Sequence, residues 1–382
     1  MSPKKRVLVF IDWFLPGYKA GGPIRSVANM VEHLKEDVEF LIVTSDTDYT
    51  EHAPYANIQA DVWTDFDVNT KVFYISKANL NKDFIANLIS KTEFDTVYIN
   101  GIYSYFFSIL PLQILKKSDK KVVVCARGML SEQAFSRKSL KKNVFLKLAK
   151  LKGLYKNVIF HATTDSEKTD IEKRLGKHVK VTVAQNFARK ISSSNHENSE
   201  KKSGALKLVS IARISQEKNT KFALEILKKL KNTNITFDIF GSIYDVQYWT
   251  ECQEIISKLP NTICVNYKGA IDSSDVPKTF AQYNFSFMPS VGENFGHSLL
   301  ESMTAGTPVI TSTGTPWRNL QQHNAGWDIP LDKPEEFVKI IEFCAKLSQE
   351  DYDKMSLAAQ NFAMSRSDLS ATIKKYIELF SA

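Results

Sequence analysis

Phe285-Ser-Phe-Met-Pro-Ser-Val-Gly-Glu-Asn-Phe-Gly-His-Ser-Leu-Leu-Glu-Ser-Met-Thr-Ala-Gly-Thr-Pro-Val-Ile-Thr-Ser312 holds a strand, a loop, a helix and a second strand in a single run. Phe285 to Pro289 has the apolar character of a short buried strand, and Val291 to Gly296 carries the turn formers. From His297 the apolar positions Leu299, Leu300 and Met303 follow helical spacing, and Gly306 stops the helix. Thr307 to Ser312 then reads as the next strand, so the unit is the parallel crossover of an α/β sheet. Ligands of such sheets sit at the carboxyl ends of the strands, where the loop holding Glu293 lies. Glu301 follows Glu293 with seven residues between them. Helix geometry brings it to the same face about 12 Å further along. Two carboxylates can therefore line one elongated ligand, with N–H groups at the helix start to receive its phosphates.

The chain of 382 residues is long enough for two domains. Its 43% hydrophobic and 24% charged residues are the balance of a soluble globular protein and exclude a disordered one. No apolar run reaches the ~20 residues needed to span a bilayer. Basic residues precede the first apolar run, but Asp12 interrupts it too early for a signal-peptide core, so it reads as the first core strand. Cys125, Cys252, Cys264 and Cys344 are scattered, without the close pairs of zinc or redox sites. Reduced, buried thiols in a cytoplasm are expected. The formal charge of +8 permits an acidic partner without identifying one.

Strands are expected at 6–12, 38–45, 71–76, 96–100, 121–127, 158–163 and 179–184, with a helix from Ile24 to Leu34. That rhythm predicts a doubly wound, mainly parallel sheet over residues 1–187. The polar stretch 188–205 reads as a surface linker. A second alternation over 206–366 has strands from Leu206 and at 235–240, 263–267, 285–289, 309–312 and 326–329. Two Rossmann-like domains facing a central cleft are the expected architecture, and two helices are expected in the tail from Asp351 to Phe380.

The block around Glu293 and Glu301, with Phe295-Gly296 between them and Gly306-Thr-Pro-Val after, resembles the donor-binding motif of retaining glycosyltransferases of the GT-B fold, most closely glycosyltransferase family 4. The resemblance implies that Glu293 sits by the donor sugar and that Glu301 bonds the ribose of a nucleotide. Asn294, Phe295, Gly296 and His297 would complete the donor loop. In GT-B proteins the final helix commonly crosses back to the first domain, which here assigns 367–382 to it.

Arg213 and Lys218 follow the first strand of the second domain. Glycosyl transfer leaves a nucleoside diphosphate whose negative charge such cations stabilise. The pair is similar to the family's Gly-Arg…Lys-Gly element, with Ala212 and Asn219 where glycines are usual. Gly241 ends a further strand and lets backbone approach a ligand, and Lys268 and Gly269 end another, where the family lines the base pocket. In the first domain, Gly21 and Gly22 lie between strand one and helix one and resemble the family's glycine-rich acceptor and phosphate loop. The loop is not Gly-x-Gly-x-x-Gly, so nicotinamide binding is unsupported. Near the position where many relatives carry a histidine that contacts the donor sugar, this chain presents Arg127, which reads either as an orienting group for acceptor or sugar or as a structural residue.

Asp46-Thr-Asp48 suits a loop or helix cap better than a metal site, and no metal or other cofactor is expected. The run 137–152 combines Arg137, Lys138, Lys141, Lys142, Lys147, Lys150 and Lys152 with an apolar stripe at Leu140, Val144, Leu148 and Leu151. It reads either as a helix docking on anionic membrane or as an amphipathic helix covering the sheet. The expectation is a cytoplasmic enzyme, with docking at the inner membrane open. It would move a hexosyl or N-acetylhexosaminyl group from a nucleotide sugar, a UDP-sugar first, to a glycan or lipid-linked glycan, with nucleic acid not a partner. A nucleotide-sugar epimerase of the same fold and a noncatalytic glycan- or nucleotide-binding scaffold are the alternatives.

Overall fold

The computed structural model describes residues 4–136, 139–190, 199–231, 233–366 and 368–381. The chain divides into two compact units, Met1–Lys190 with Asp368–Ala382, and Ile191–Ser367.

The first unit is built on β1 (Lys5–Phe10), β2 (Val38–Ser45), β3 (Trp63–Asp67), β4 (Thr70–Ile75), β5 (Thr96–Asn100), β6 (Lys121–Cys125), β7 (Val158–Ala162) and β8 (Lys180–Val183). They form one sheet in the order β3-β4-β2-β1-β5-β6-β7-β8. All neighbours are parallel except β3 and β4. The central strands are apolar on both faces because helices cover both. Leu8, Phe10, Val97, Ile99, Val122 and Val124 point into one core, which the helices Lys82–Lys91 and Asp165–Leu175 help to close. Val7, Val9, Tyr98, Val123 and Cys125 point into the other, under the helices Gly22–Leu34 and Leu369–Ser381. The last helix is tied to this sheet by Tyr376, Leu379 and Phe380, and Thr96 Oγ1 donates to Phe380 O at 3.0 Å.

The second unit holds β9 (Ala205–Ile211), β10 (Asn234–Phe240), β11 (Ile263–Gly269), β12 (Phe285–Met288), β13 (Val309–Ser312) and β14 (Gly326–Ile329). Their order is β11-β10-β9-β12-β13-β14, all parallel. In strand number this is the doubly wound order 3-2-1-4-5-6, whose direction reverses between β9 and β12. In the first sheet the reversal falls between β1 and β5.

Three expectations change. The edge strand β3, mostly exposed and carrying Thr64, Asp65 and Asp67, has no apolar alternation and was not foreseen. Cys264 is exposed rather than buried, because β11 is an edge strand. Of the expected linker 188–205, residues 191–198 lie outside the described residues, and its far end packs into the second unit. Lys201 is buried there, with its ammonium donating to Ala345 O at 2.9 Å near the end of the helix Pro334–Lys346.

Candidate functional site

At the reversal of the second sheet, the loops that leave β9 and β12 are stitched together by backbone and side chain. Val291 N donates to Glu217 O at 2.8 Å, Asn219 Nδ2 to Pro289 O at 3.1 Å, and Ser298 Oγ to Ile211 O at 2.6 Å. This fastening brings two of the expected residues into contact: Lys218 Nζ lies 2.5 Å from Glu293 Oε1. Ser290 Oγ donates to the same carboxylate oxygen at 2.9 Å, and Glu293 N donates to Gly314 O at 3.1 Å. The Glu293 side chain is 8% exposed and that of Lys218 16%, so the charges meet largely out of water and hold one another strongly. Arg213, on the same loop as Lys218, sets its guanidinium 5.3 Å from the centre of the Tyr244 ring. Asn219 adopts a left-handed conformation at φ 60°, which asparagine tolerates, so the missing glycine does not prevent this turn.

The helix His297–Thr304 starts after Glu293, not at it. The straight helical offset between the two glutamates therefore does not apply; the loop bonds above set the position of Glu293. Glu301 lies within the helix and has one carboxylate oxygen buried. Gly296 precedes the helix at φ 74°, where a Cβ would meet Trp317 Nε1 at 3.0 Å. The same indole donates to Phe295 O at 2.7 Å and to Gly296 O at 3.3 Å, holding this loop at its turn. Phe295 packs its ring 4.6 Å from that of His297 and 5.7 Å from that of Trp317. Asn294 lies in the same loop. Ser290 and Trp317 were not among the expected residues. Ser290 stands in the quoted run directly after Pro289, whereas nothing local marks Trp317.

Gly241, Lys268 and Gly269 also lie at the carboxyl edge of this sheet. Gly241 has φ 142°, and a Cβ there would meet Ala212 O at 1.9 Å, so close packing of β10 against the end of β9 already requires glycine. Lys268 reaches Asp238 Oδ2 at 3.6 Å, an oxygen that also accepts from Tyr283 at 2.7 Å. Gly269 takes φ 77° beside open space.

In the first unit, Gly21 at φ 72° turns the chain into the helix Gly22–Leu34, and a Cβ on Gly22 would meet open space. Asp48 fastens the loop before them, accepting from Tyr18 N at 3.0 Å and Lys19 N at 3.3 Å. The Asp-x-Asp sequence is thus used as a loop clasp. Among the described residues no group of three or more His, Cys, Asp or Glu is placed to hold a metal ion. Arg127, in the left-handed region at φ 52°, turns its guanidinium into a polar network. It donates to Asn100 Oδ1 and Asn186 Oδ1, each at 2.6 Å, and to Tyr98 at 3.2 Å. Tyr98 bonds His161 Nδ1 at 2.8 Å, and His161 Nε2 meets Ala184 O at 2.8 Å. Burial and then the nearby Arg127 charge lower the His161 pKa to about 3.

Residues 192–362 match the family described as "Glycosyl transferases group 1". An "Uncharacterized 41.2 kDa protein in cps region" of Klebsiella pneumoniae is 19% identical over 309 residues, covering 78% of this chain and 82% of that one. Among solved structures, Anabaena Alr3699/HepE in complex with UDP and glucose superposes with a TM-score of 0.69 at 17% identity, over 99% of both chains. WaaG, a glycosyltransferase involved in lipopolysaccharide biosynthesis, does so with a TM-score of 0.66 at 13% identity, over 99% of this chain and 100% of that one. Residues 192–362 thus match the group 1 glycosyltransferases, and along its whole length the chain shares the fold of these solved glycosyltransferases.

Proposed function

We propose that this enzyme moves a hexosyl or N-acetylhexosaminyl group from a UDP-sugar to a hydroxyl of a glycan or lipid-linked glycan during cell-surface polysaccharide synthesis, with retention at the anomeric carbon. The observation that carries the reading is the Lys218–Glu293 pair at the reversal point of the second sheet, with Arg213 on the same loop. The UDP and glucose held by the Anabaena relative and the cps-region location of the Klebsiella relative support the donor and the pathway class. Lys218 and Arg213 stabilise the departing diphosphate, Glu293 receives sugar hydroxyls, and Glu301 receives the ribose. The bond from the anomeric carbon to the diphosphate oxygen breaks and the bond to the acceptor oxygen forms. The acceptor's proton goes to the departing phosphate oxygen on the same face. The second unit binds the donor and the first the acceptor, and the chemistry needs no metal or other cofactor. A thermal-shift panel of UDP-, GDP-, ADP- and TDP-sugars, with and without EDTA, tests this. UDP-sugars should shift the midpoint most, in both conditions, because a ligand that binds the folded state stabilises it. A panel without any shift sinks the donor assignment.

A lipid-linked acceptor would bring the enzyme to the cytoplasmic face of the membrane, and the helix Ser139–Leu151 suits that place. Leu146 and Ala149 on this helix are buried in the core of the first unit, so a different set of residues than expected covers the sheet. The predicted stripe stays outside: Leu140 is 77% exposed, Val144 49%, Leu148 50% and Leu151 84%. Lys141, Lys147 and Lys150 are exposed around it, whereas Lys142 folds back over the Phe135 and Tyr103 rings; Arg137 and Lys138 lie outside the described residues. An apolar stripe rimmed by lysines matches an anionic bilayer surface. Among the described residues no helix is long and apolar enough to cross a membrane, so docking would be peripheral. Co-sedimentation with phosphatidylglycerol vesicles should be lost in a Leu140→Asp, Leu151→Asp double variant and on charge reversal of the three lysines. Equal sedimentation of native and variant protein would sink the docking.

A further inference from the structure

In the second unit the loop that leaves β12, with Glu293 to Gly296, is held by the loop that leaves β13, residues 313–320. Three bonds join them. Glu293 N donates to Gly314 O at 3.1 Å, and the Trp317 indole donates to Phe295 O at 2.7 Å and to Gly296 O at 3.3 Å. Both meetings need glycine, because a Cβ on Gly314 would collide with Val291 O and one on Gly296 would crowd the indole. The holding loop is anchored in turn on β14. Asp328, with its side chain 11% exposed, accepts from Leu320 N and meets Arg318 Nε, each at 3.0 Å. Trp317 itself is buried, its ring edge-on to Phe295 at 5.7 Å and to Phe362 of the helix Gln349–Ser365 at 6.5 Å. Phenylalanine would supply that packing but not the N–H. An indole has one donor and no acceptor, and here the donor serves two consecutive backbone carbonyls. In a planar trans peptide the C=O and the following N–H point in opposite directions. Turning Phe295 O and Gly296 O toward Trp317 therefore turns the N–H groups of Gly296 and His297 away from it, at the start of the helix His297–Thr304.

We propose that Trp317 is a positioning residue for glycosyl transfer: its N–H fixes the two peptide planes between Glu293 and the helix, so that carboxylate and helix start keep the arrangement the transition state needs. Groups set in place before charge develops cost no reorganisation during the reaction, and this benefit is read in kcat. The indole bonds Phe295 and Gly296, not Lys218, Arg213 or Glu301, so the hold on the nucleotide does not depend on it. The role in turnover rests on the glycosyltransferase reading; the clasp on the loop does not.

Trp317→Phe keeps the packing and removes the N–H. Turnover, read as UDP release from the UDP-sugar that stabilises native protein most, should show kcat lowered about 10-fold, the scale of one hydrogen bond left unmade. UDP affinity and the donor KM should stay within about twofold of native. A second measurement needs no variant activity. Native protein has five tryptophans, and the indole N–H signal missing from the nitrogen-15 spectrum of Trp317→Phe belongs to Trp317. That signal should move when UDP-glucose or UDP-N-acetylglucosamine is added to native protein, whereas a purely structural indole would keep its place. Unchanged kcat in the variant, UDP affinity that falls as far as kcat, or a bound UDP-sugar that leaves the Trp317 signal unmoved would each overturn the positioning role alone. Native protein that binds none of the nucleotide sugars would instead remove the transferase reading, and the role with it.

Discussion

The two reversal points of this molecule share a topology and differ in charge. At the second, Lys218 and Glu293 are already paired at 2.5 Å, with Arg213 on the same loop. At the first, burial raises the pKa of Asp12, and Trp13 beside it packs edge-on to Tyr49. A doubly wound sheet supplies a crevice in both cases; the residues on its rim select the ligand. An ion pair held largely out of water can exchange partners with an ionic ligand, the diphosphate taking the lysine while sugar hydroxyls take the carboxylate. A carboxylate among rings has no cation to offer and suits an uncharged ligand.

The largest effect that would break this contrast is expected at Glu293. Its replacement by alanine should lower transfer about 10³-fold, on the scale of losing one preorganised electrostatic group. UDP affinity should hold or rise, because Lys218 is released to the diphosphate. Steady-state kinetics and UDP titration calorimetry read the two quantities separately, and transfer within tenfold of native would remove Glu293 from the chemistry. Lys218→Ala should act in the opposite sense. It strands a carboxylate that is 8% exposed, at a cost of about 3 kcal/mol in urea unfolding, and it weakens UDP. If stability stayed unchanged, the pair would be a surface contact and the distinction between the two edges would lose its basis.

A smaller effect separates the layer beneath the first edge from the edge itself. His161 has its folded pKa lowered to about 3, chiefly by burial and then by the charge of Arg127. Its unfolded value is about 6.5, so the unfolded chain binds the extra proton first as pH falls. The contribution of His161 is therefore complete above about pH 6.5 and declines below it, by about 1.4 kcal/mol per pH unit until the folded value is reached. Nitrogen-15 ring shifts should report a neutral imidazole at pH 5. A charged ring at that pH would mean that the Arg127 network is open to water.

Much of this was legible in the sequence because the deciding signals are local. The strands β2, β5, β13 and β14 begin and end where their apolar runs do. Lys218 and Glu293 lie 75 positions apart, yet each could be placed because each follows a strand whose edge was already known. Arg127 was not legible in the same way. Whether its guanidinium faces a ligand or the interior is decided by Asn100 and Asn186, which are 27 and 59 positions away. No pattern in the sequence pairs them. Asp12 was noticed as the charge that ends the first apolar run; Ser104, which favours its ionised form against the cost of burial, comes from the loop after another strand. The basic helix shows the same limit, since periodicity finds an apolar stripe but cannot say which of two stripes the sheet takes.

The smallest effect bears on the first edge alone. Desolvation raises the folded pKa of Asp12 above its unfolded value of about 3.9, so at neutral pH its ionised form is a cost to folding. That cost is present above the folded pKa and disappears as pH falls through it, because the folded state then binds the proton more readily than the unfolded chain. Asp12→Asn keeps the shape and removes the charge. It should therefore stabilise the protein at pH 7, by about 1 kcal/mol, the size typical of relieving a functional site. The gain over native should shrink in more acidic buffer, as the native carboxyl also becomes neutral. Urea midpoints of the two proteins at pH 7 and pH 4 measure the difference directly. If the aspartate were there to hold the loops, the asparagine variant would lose stability at pH 7, and the first edge would be a structural joint in contrast to the binding edge of the second sheet.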